Sequence, residues 1–434
     1  MSALAAVAIL FGAFFVLLFG GVPISVSLGV ASFVTALAFL PWDDSTYIIG
    51  QQMNVGLESF SLLAVPLFIF AGNIMNTGGI ARRLVDLALV VVGRVPGALA
   101  HTNVLANMLF GALSGSAVAS AAAIGSTLHD RQREAGYDPA FGAAVNIASA
   151  PTGLLIPPTT AAIVYSTVAG GVSVSALFMA GYVPGILMGL VIMVIAFVVT
   201  RRAEYPKAAR VTSSEAIRCL FRALPGLLLI VVVVGGIVFG VFTATEGAAV
   251  AVLYTLVLSL AYRSMSWTAL KDVVTRTVVA TGVVMFLIAA STGMSWVMAY
   301  TGIPAAITEA LLSVSDSRVV ILGLMLVVLL VVGTFMDITP AILIFTPILL
   351  PISEELGMDP VQFGMVLILA MCIGTMTPPV GSVLFVGTSV SGESIERVVP
   401  KLIPHFAGLI LLLIAVTFIP ALSLALPGMM GLLE

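Results

Sequence analysis

The first basic residue of this 434-residue chain is Arg82 and the last is Lys401, so long stretches at both ends carry no cation. Only 9% of the residues are charged and 60% are hydrophobic, whereas soluble domains run at about 25% charged. So few charges cannot cover a water-facing surface. An apolar run of ~20 residues is long enough to cross a bilayer as a helix. Such runs lie near 3–20, 24–40, 61–76, 176–200, 224–243, 247–262, 278–300, 319–336, 362–377 and 402–426. Shorter or broken segments lie near 103–128, 140–170, 338–352 and 380–392. Backbone in hydrocarbon must satisfy its own hydrogen bonds, and open helices do this within one segment. The chain therefore reads as an all-α polytopic membrane protein with about ten to twelve crossings plus re-entrant pieces.

Charge placement gives an expected orientation. The stretch RRAEYPKAARVTSSEAIRCLFR at 201–222 holds six basic and two acidic residues. The positive-inside rule puts it in the cytoplasm and leaves both charge-poor termini outside. The apolar N-terminus has no basic leading segment and does not read as a cleaved signal peptide. Other basic positions, Arg82/Arg83, Arg131/Arg133, Arg263/Lys271/Arg276 and Arg397/Lys401, read as short loops. Cys219 and Cys372 are the only cysteines, which excludes a cysteine metal cluster and argues against a disulfide. No basic stripe with interleaved aromatics points to nucleic acid. None of Lys207, Lys271 and Lys401 follows a glycine, so the phosphate loop of an ATP-driven pump is absent.

The chain also repeats itself. GYDPAFG at 136–142 matches GMDPVQFG at 357–364, and IPPTTAAIVYSTVAGG at 156–171 matches TPPVGSVLFVGTSVSG at 377–392. Pro157 and Pro158 recur as Pro378 and Pro379, 221 positions on. The expected units are 1–200, a basic cytoplasmic linker 201–222, and 223–434. Termini outside and linker inside require an odd number of crossings per half, so the halves are inverted. Inverted repeats with interrupted helices mark secondary transporters.

The proline pairs are expected to break helices. Proline lacks the amide hydrogen that a helix interior needs, and its ring clashes with the preceding turn. Irregular backbone at membrane depth survives only inside protein or beside a wet cavity. Carbonyls freed there suit a small hard cation, and nearby hydroxyls complete its shell. Ser149, Thr152, Thr159 and Thr160 surround the first break, and Thr375, Thr377 and Ser382 the second. Any one of these hydroxyls can instead bond back to its own helix. Gly374 and Gly381 permit close approach of the backbone.

Each half carries a further irregular element upstream of its break. The small-residue run FGALSGSAVASAAAIGST at 110–127 reads as a re-entrant hairpin, near 103–128, with its tip at Ser114, Gly115 and Ser116. A plain packing helix is the alternative. The second hairpin, near 325–352, contains Asp337. An intramembrane Asp costs ~2.5–3.5 kcal/mol and so faces a partner or a cavity; it binds a cation or caps the helix that follows. Glu246 reads as an N-terminal charge on its own helix. A rival class, an intramembrane hydrolase, rests on ALSG at 112–115, which resembles the GxSG nucleophile motif of rhomboid proteases except for Ala112. None of His101, His129 and His405 sits mid-span to pair with Ser114. A passive channel is the third class.

LFGGVPISVSLG at 18–29, PLFIFAGNIMNTGGIARRL at 66–84, FGALSGSAVASAAAIGS at 110–126, GIVFGVFTATEGAAVAV at 236–252, FMDITPAILIFTPILLPI at 335–352 and GTMTPPVGSVLFV at 374–386 carry a resemblance over nearly the whole chain. Together they resemble the large membrane (M) subunit of tripartite ATP-independent periplasmic (TRAP) transporters, of the ion transporter superfamily. Ser120 departs from the pattern, since many members have Asp there. The resemblance implies an inverted-repeat elevator-type transporter with two re-entrant hairpins and two Pro-broken helices at Pro157, Pro158, Pro378 and Pro379. It implies coupling to transported sodium ions, with no organic cofactor and no enzymatic step. One sodium site would use Ser114, Gly115, Ser116, Ser149 and Thr152. The other would use Gly333, Asp337, Gly374, Thr375, Thr377 and Pro378. Substrate contacts are expected at Ser116, Thr159 and Ser382. The implied setting is a bacterial or archaeal cytoplasmic (inner) membrane. The implied partners are a small four-helix membrane (Q) subunit, a periplasmic substrate-binding protein (P subunit), and an organic acid anion such as a C4-dicarboxylate or sialic acid. No Lys or Arg lies in the four site segments, so helix N-termini, hydroxyls and sodium are expected to offset the anion's charge.

Overall fold

The computed structural model describes residues 3–77, 80–202, 212–315 and 317–433, so residues 203–211 of the basic connection lie outside it. Every element among the described residues is helical. Helices α1 (Ala3–Phe19), α2 (Ile24–Phe39) and α3 (Trp42–Val55) lead to α4 (Ala64–Thr77) and α5 (Ile80–Val92). Then come α6 (Ala98–Ser114) and α7 (Ala117–Glu134), which form a hairpin turning at Gly115 and Ser116. Next, α8 (Pro139–Ser149), a 3₁₀ turn at Ala150–Leu154 and α9 (Thr160–Val168) make one interrupted helix, followed by α10 (Val174–Arg202). Helices α11 (Ser213–Val238), α12 (Ala244–Ala261), α13 (Trp267–Thr301) and α14 (Ile303–Val314) begin the second half. The pattern then recurs: a hairpin of α15 (Arg318–Gly333) and α16 (Ile338–Glu355), an interrupted helix of α17 (Pro360–Gly374) and α18 (Ser382–Ser391), and a long α19 (Ile395–Phe418). A short α20 (Ala421–Met429) follows.

The repeated G-x-D-P motif has a local explanation. Gly136 and Gly357 take φ of +80° and +73°, which ends the preceding helix in a left-handed turn. The Asp138 carboxylate then accepts from the Ala140 amide at 3.0 Å, and the Asp359 carboxylate from Val361 at 2.7 Å. Pro139 and Pro360 occupy the first turn, where a missing amide hydrogen is harmless. The motif thus stops one helix and starts the next within four residues. Lys401 on α19 lies 3.0 Å from Asp138. Burial pushes the Asp138 carboxyl up, but the Lys401 ammonium and the Ala140 amide outweigh it and hold the group below the usual carboxylate range.

Among the described residues, six helices are long and apolar enough to cross a bilayer, namely α10, α11, α12, α13, α16 and α19. The pair α3–α4, bent by 62°, adds a seventh. The expectation of ten to twelve crossings is therefore met by length at only six to seven. The shortfall has a physical cause: α1, α2, α15, α17 and α18 are apolar but only 10–17 residues long. Two boundaries also differ from expectation. Helix α11 begins inside the basic stretch because Thr212 and Glu215 form a capping box there. The run expected at 402–426 is split, with α19 ending at Phe418 and α20 starting at Ala421.

Burial sorts the helices. Ala140–Ser149 of α8 and Val361–Gly374 of α17 are buried along their whole length. Outer helices point large apolar side chains outward: Val16, Leu253 and Val278 are exposed. Such a continuous apolar exterior suits lipid. The irregular elements therefore lie in the interior. They are pressed together through glycine. Gly111 of α6 abuts Gly153 in the first break, and Gly333 of α15 abuts Gly374 of α17. Gly153 and Gly374 lie 221 positions apart, and Gly111 and Gly333 lie 222 apart on the corresponding hairpin arms. The two interrupted helices also meet each other. The Cys372 thiol lies 3.4 Å from the Pro151 carbonyl, 221 positions earlier, and the Tyr165 hydroxyl donates to the Pro360 carbonyl at 2.6 Å.

A Cβ on Gly374 would land on the Gly333 backbone, which cannot yield as a flexible side chain would. Gly374→Val should cost about 1–3 kcal/mol or more through overpacking, lowering the thermal midpoint of the purified protein. Gly12→Ala, inside α1 where a Cβ meets nothing within 4 Å, should not lower it.

Candidate functional site

All four irregular elements meet at one central cavity of about 410 Å³. The first hairpin contributes Ser114–Ala119, and the first interrupted helix Leu154, Thr160 and Val164. The second hairpin gives Asp337, Ile338 and Thr339, and the second interrupted helix Thr375 and Ser382. Helix α4 closes one wall with Gly72, Asn73 and Asn76, and α13 another with Arg276, Ala280 and Val284.

The cavity is electropositive by construction. The N-termini of α7, α16 and α18 open onto it, and α9 presents its first residue, Thr160. The first amides of a helix lack intrahelical partners and carry a partial positive charge. Arg276 adds a full charge. Asp337 is the one acid among the lining residues.

The tips are held by distinct contacts. Gly115 takes φ +60°, and its amide donates to Gly111 at 2.8 Å, closing α6. The Ser116 hydroxyl accepts from the Ala119 amide at 3.3 Å and caps α7. In the second half, the Val380 amide donates to the Thr334 carbonyl at 3.2 Å, tying break to tip. Asp337 occupies the cap position of α16 but makes no capping hydrogen bond. Its carboxylate instead accepts from Ser382 at 3.5 Å and is exposed to the cavity. The carboxylate thus faces the cavity beside Ser382 and does not cap α16.

The remaining expected residues divide. Ser149 and Thr152 are fully buried behind the first tip, not on the wall. Gly333 and Gly374 pack on each other. The hydroxyls of Thr152, Thr375 and Thr377 donate to the carbonyls of Ser149, Cys372 and Ile373 at 2.6, 2.8 and 2.6 Å. Ser149 donates likewise to Val145 at 2.7 Å. A hydroxyl that donates its hydrogen in this way still presents lone pairs to a cation. The Thr159 hydroxyl accepts from the Ala161 and Ala162 amides, and its neighbour Thr160 reaches the cavity. Pro157 and Pro158 are buried, whereas Pro379 is exposed; both Pro–Pro bonds are cis. No group of three His, Cys, Asp or Glu occurs among the described residues. A cation at the tips would therefore be held by hydroxyls, carbonyls and Asp337.

Three features were not foreseen. Arg276 stands well inside α13 rather than in a loop, and lines the cavity with Ala280 and Val284 at helical spacing. Its polarity within an apolar helix was the available signal. Asn73 of α4 donates to Thr277 of α13 at 3.0 Å, joining the two walls that flank the cavity. Behind the first tip lies a buried amide network. The Asn107 amide reaches Asn103, Asn146 and Ser149 at 2.8, 3.0 and 2.8 Å, and its carbonyl accepts from Ser120 at 2.7 Å. Ser120 thus ties α7 to α6. Glu246 caps α12 with Thr243, as its position suggested. The Ser114 hydroxyl lies 3.5 Å from the Ser116 carbonyl and pairs with no histidine among the described residues.

The chain matches the family model described as tripartite ATP-independent periplasmic transporter, DctM component, over residues 11–422. It is 41% identical to the C4-dicarboxylate TRAP transporter large permease protein DctM of Pseudomonas aeruginosa, over 94% of this chain and 95% of that one. It is 38% identical to the 2,3-diketo-L-gulonate TRAP transporter large permease protein YiaN of Escherichia coli, over 93% and 96%. The crystal structure of the YdaH transporter of Alcanivorax borkumensis shares the fold, with TM-score 0.62 at 15% identity over 88% of this chain and 90% of that one.

Removing the amide at the centre of the network should be more damaging than removing its edge. Asn107→Leu leaves several buried groups unpaired, each costing about 1–3 kcal/mol, and should greatly lower the thermal midpoint. Ser120→Ala should cost about 1 kcal/mol. Equal midpoints would show the network to be without weight.

Proposed function

The chain belongs to the DctM component family of tripartite ATP-independent periplasmic transporters, and on that premise we propose that it imports an organic acid anion driven by sodium. It is a multi-pass membrane protein and the large permease subunit of such a system. The observation that carries the reading is the convergence of helix N-termini and Arg276 on one cavity. That field suits a carboxylate. Relatives named for C4-dicarboxylate and 2,3-diketo-L-gulonate fit the same chemistry.

Sodium would bind at the two hairpin tips. The first site draws on Ser114, Gly115, Ser116, Ser149 and Thr152. The second draws on Gly333, Asp337, Gly374, Thr375, Thr377 and Pro378. The substrate carboxylate lies between them, against Ser116, Ser382 and the Thr159–Thr160 turn, with Arg276 facing it. Because α4 and α13 form the opposite walls, the hairpins and interrupted helices can travel as one body past them, carrying cargo across in an elevator movement. The like contacts Gly111–Gly153 and Gly333–Gly374 support two related halves, 1–200 and 223–434, and the charge placement makes them inverted. The 201–222 connection would face the cytoplasm and the termini the outside. A small four-helix Q subunit and a periplasmic binding protein, the P subunit, complete the system.

Counterflow uptake into vesicles with both partner subunits tests the coupling; transport that ran equally well without sodium would exclude it. Asp337→Ala should weaken the sodium dependence, and an unchanged sodium response would remove Asp337 from the site. Arg276→Ala should raise the substrate concentration needed for half-maximal uptake about 10- to 100-fold, the worth of a charge-assisted hydrogen bond. The sodium response should be retained. Uptake by Arg276→Ala at wild-type affinity would leave charge compensation to the helix termini.

A further inference from the structure

A second concavity, of about 620 Å³, lies apart from the transport cavity. Arg82, Arg83 and Asp86 of α5, Phe221 and Arg222 of α11, and Tyr262 just beyond α12 form its walls. Three guanidinium groups face it with a single carboxylate. That carboxylate, Asp86, already has a partner in Arg131 at 3.6 Å. Among the described residues, no carboxylate lies within salt-bridge distance of Arg82, Arg83 or Arg222. Arg83 is also fixed in place, since its guanidinium carbon stands 3.3 Å over the Tyr262 ring. Stacking on an aromatic face leaves the planar edge of the guanidinium, with its fork of donors, free for an oxyanion. Side-specific charge alone requires basic residues on one face of the membrane. It does not require three of them to converge on one hollow.

The position in the bilayer identifies the oxyanion. The pocket lies at the first two turns of α5, two to three turns into α11 and just past the last turn of α12, where the basic, amphipathic start of α11 gives way to its apolar span. Phe221, Leu224, Leu228 and Val231 stand exposed at i, i+3, i+7 and i+10 on α11, a stripe that leads from the pocket along the apolar part of the helix. An arginine hollow opening onto an apolar stripe matches a phosphate headgroup with its acyl chains attached. We propose that this pocket binds the phosphodiester of an anionic phospholipid, with the acyl chains lying along the exposed Leu224, Leu228 and Val231 face of α11. Arg83 and Arg222 hold the phosphate, and Arg82 adds long-range attraction.

The protein itself supplies a reporter. Cys219 lines the same pocket and is half-buried, whereas Cys372, the other free thiol, is fully buried. In delipidated wild-type protein, palmitoyl-oleoyl phosphatidylglycerol should slow maleimide labelling of Cys219 about tenfold, and the matching phosphatidylethanolamine should not. Native mass spectrometry should show phosphatidylglycerol retained about tenfold better than phosphatidylethanolamine, at roughly the worth of one to two interfacial charges. The double variant Arg83→Gln/Arg222→Gln should lose this preference, while Arg133→Gln, outside the pocket, should keep it. Equal protection by the two lipids, or an undiminished preference in the double variant, would overturn the proposal. Inorganic phosphate that protected Cys219 as well as phosphatidylglycerol would assign the pocket to a free anion and overturn the lipid assignment. If the double variant fails to fold, the labelling of wild-type protein decides alone.

Discussion

A broken helix in a bilayer has to hide its backbone, and that requirement organises the whole molecule. An unpaired amide or carbonyl costs several kcal/mol in hydrocarbon. Each break at Pro157–Pro158 and Pro378–Pro379 must therefore be enclosed by protein. The first break is fully buried behind its hairpin, while the second is tied to its hairpin by the Val380 amide and leaves Pro379 exposed. The enclosure requires backbones to touch, which only glycine allows, so Gly111 meets Gly153 and Gly333 meets Gly374. Longer apolar helices then wrap this interior and present Val16, Leu253 and Val278 outward.

Function follows from the same arrangement. A helix that stops mid-membrane and restarts leaves fresh N-termini in the interior. Together with the hairpins, the breaks direct such ends into a single cavity of about 410 Å³. Each brings a partial positive charge without any basic side chain. The second hairpin adds the one carboxylate, Asp337, and α13 adds the one guanidinium, Arg276. A cavity that gathers helix N-termini, one carboxylate and one guanidinium thus needs few ionisable residues, which agrees with a chain that is only 9% charged.

Much of this was legible beforehand because it is written in local patterns. The 221-residue repeat locates both breaks, and G-x-D-P marks where α8 and α17 start. The small-residue run at 110–127 and the acid at Asp337 locate both tips. Crossing number was less legible, since hydropathy cannot tell a full span from the 9–18-residue arms of the hairpins and interrupted helices. In sequence, Arg276 groups with Arg263 and Lys271 as a basic turn, but the Ser266 cap starts α13 ten residues before Arg276. The Asn107 network escaped notice because its members come from three helices, and nothing in their spacing links Asn103, Ser120 and Asn146.

The sequence by itself determined the solvent, the helical class, the duplication and the places where helices must fail. Those follow from composition and from proline and glycine stereochemistry, which act on a residue and its immediate neighbours. Tertiary structure alone decided that four separate irregularities share one cavity, that Arg276 and Asn73 complete its walls, and that Thr160 rather than Thr159 reaches it. Those outcomes depend on the rotation and depth of helices distant in sequence. Packing against neighbours sets both, and no local pattern encodes them.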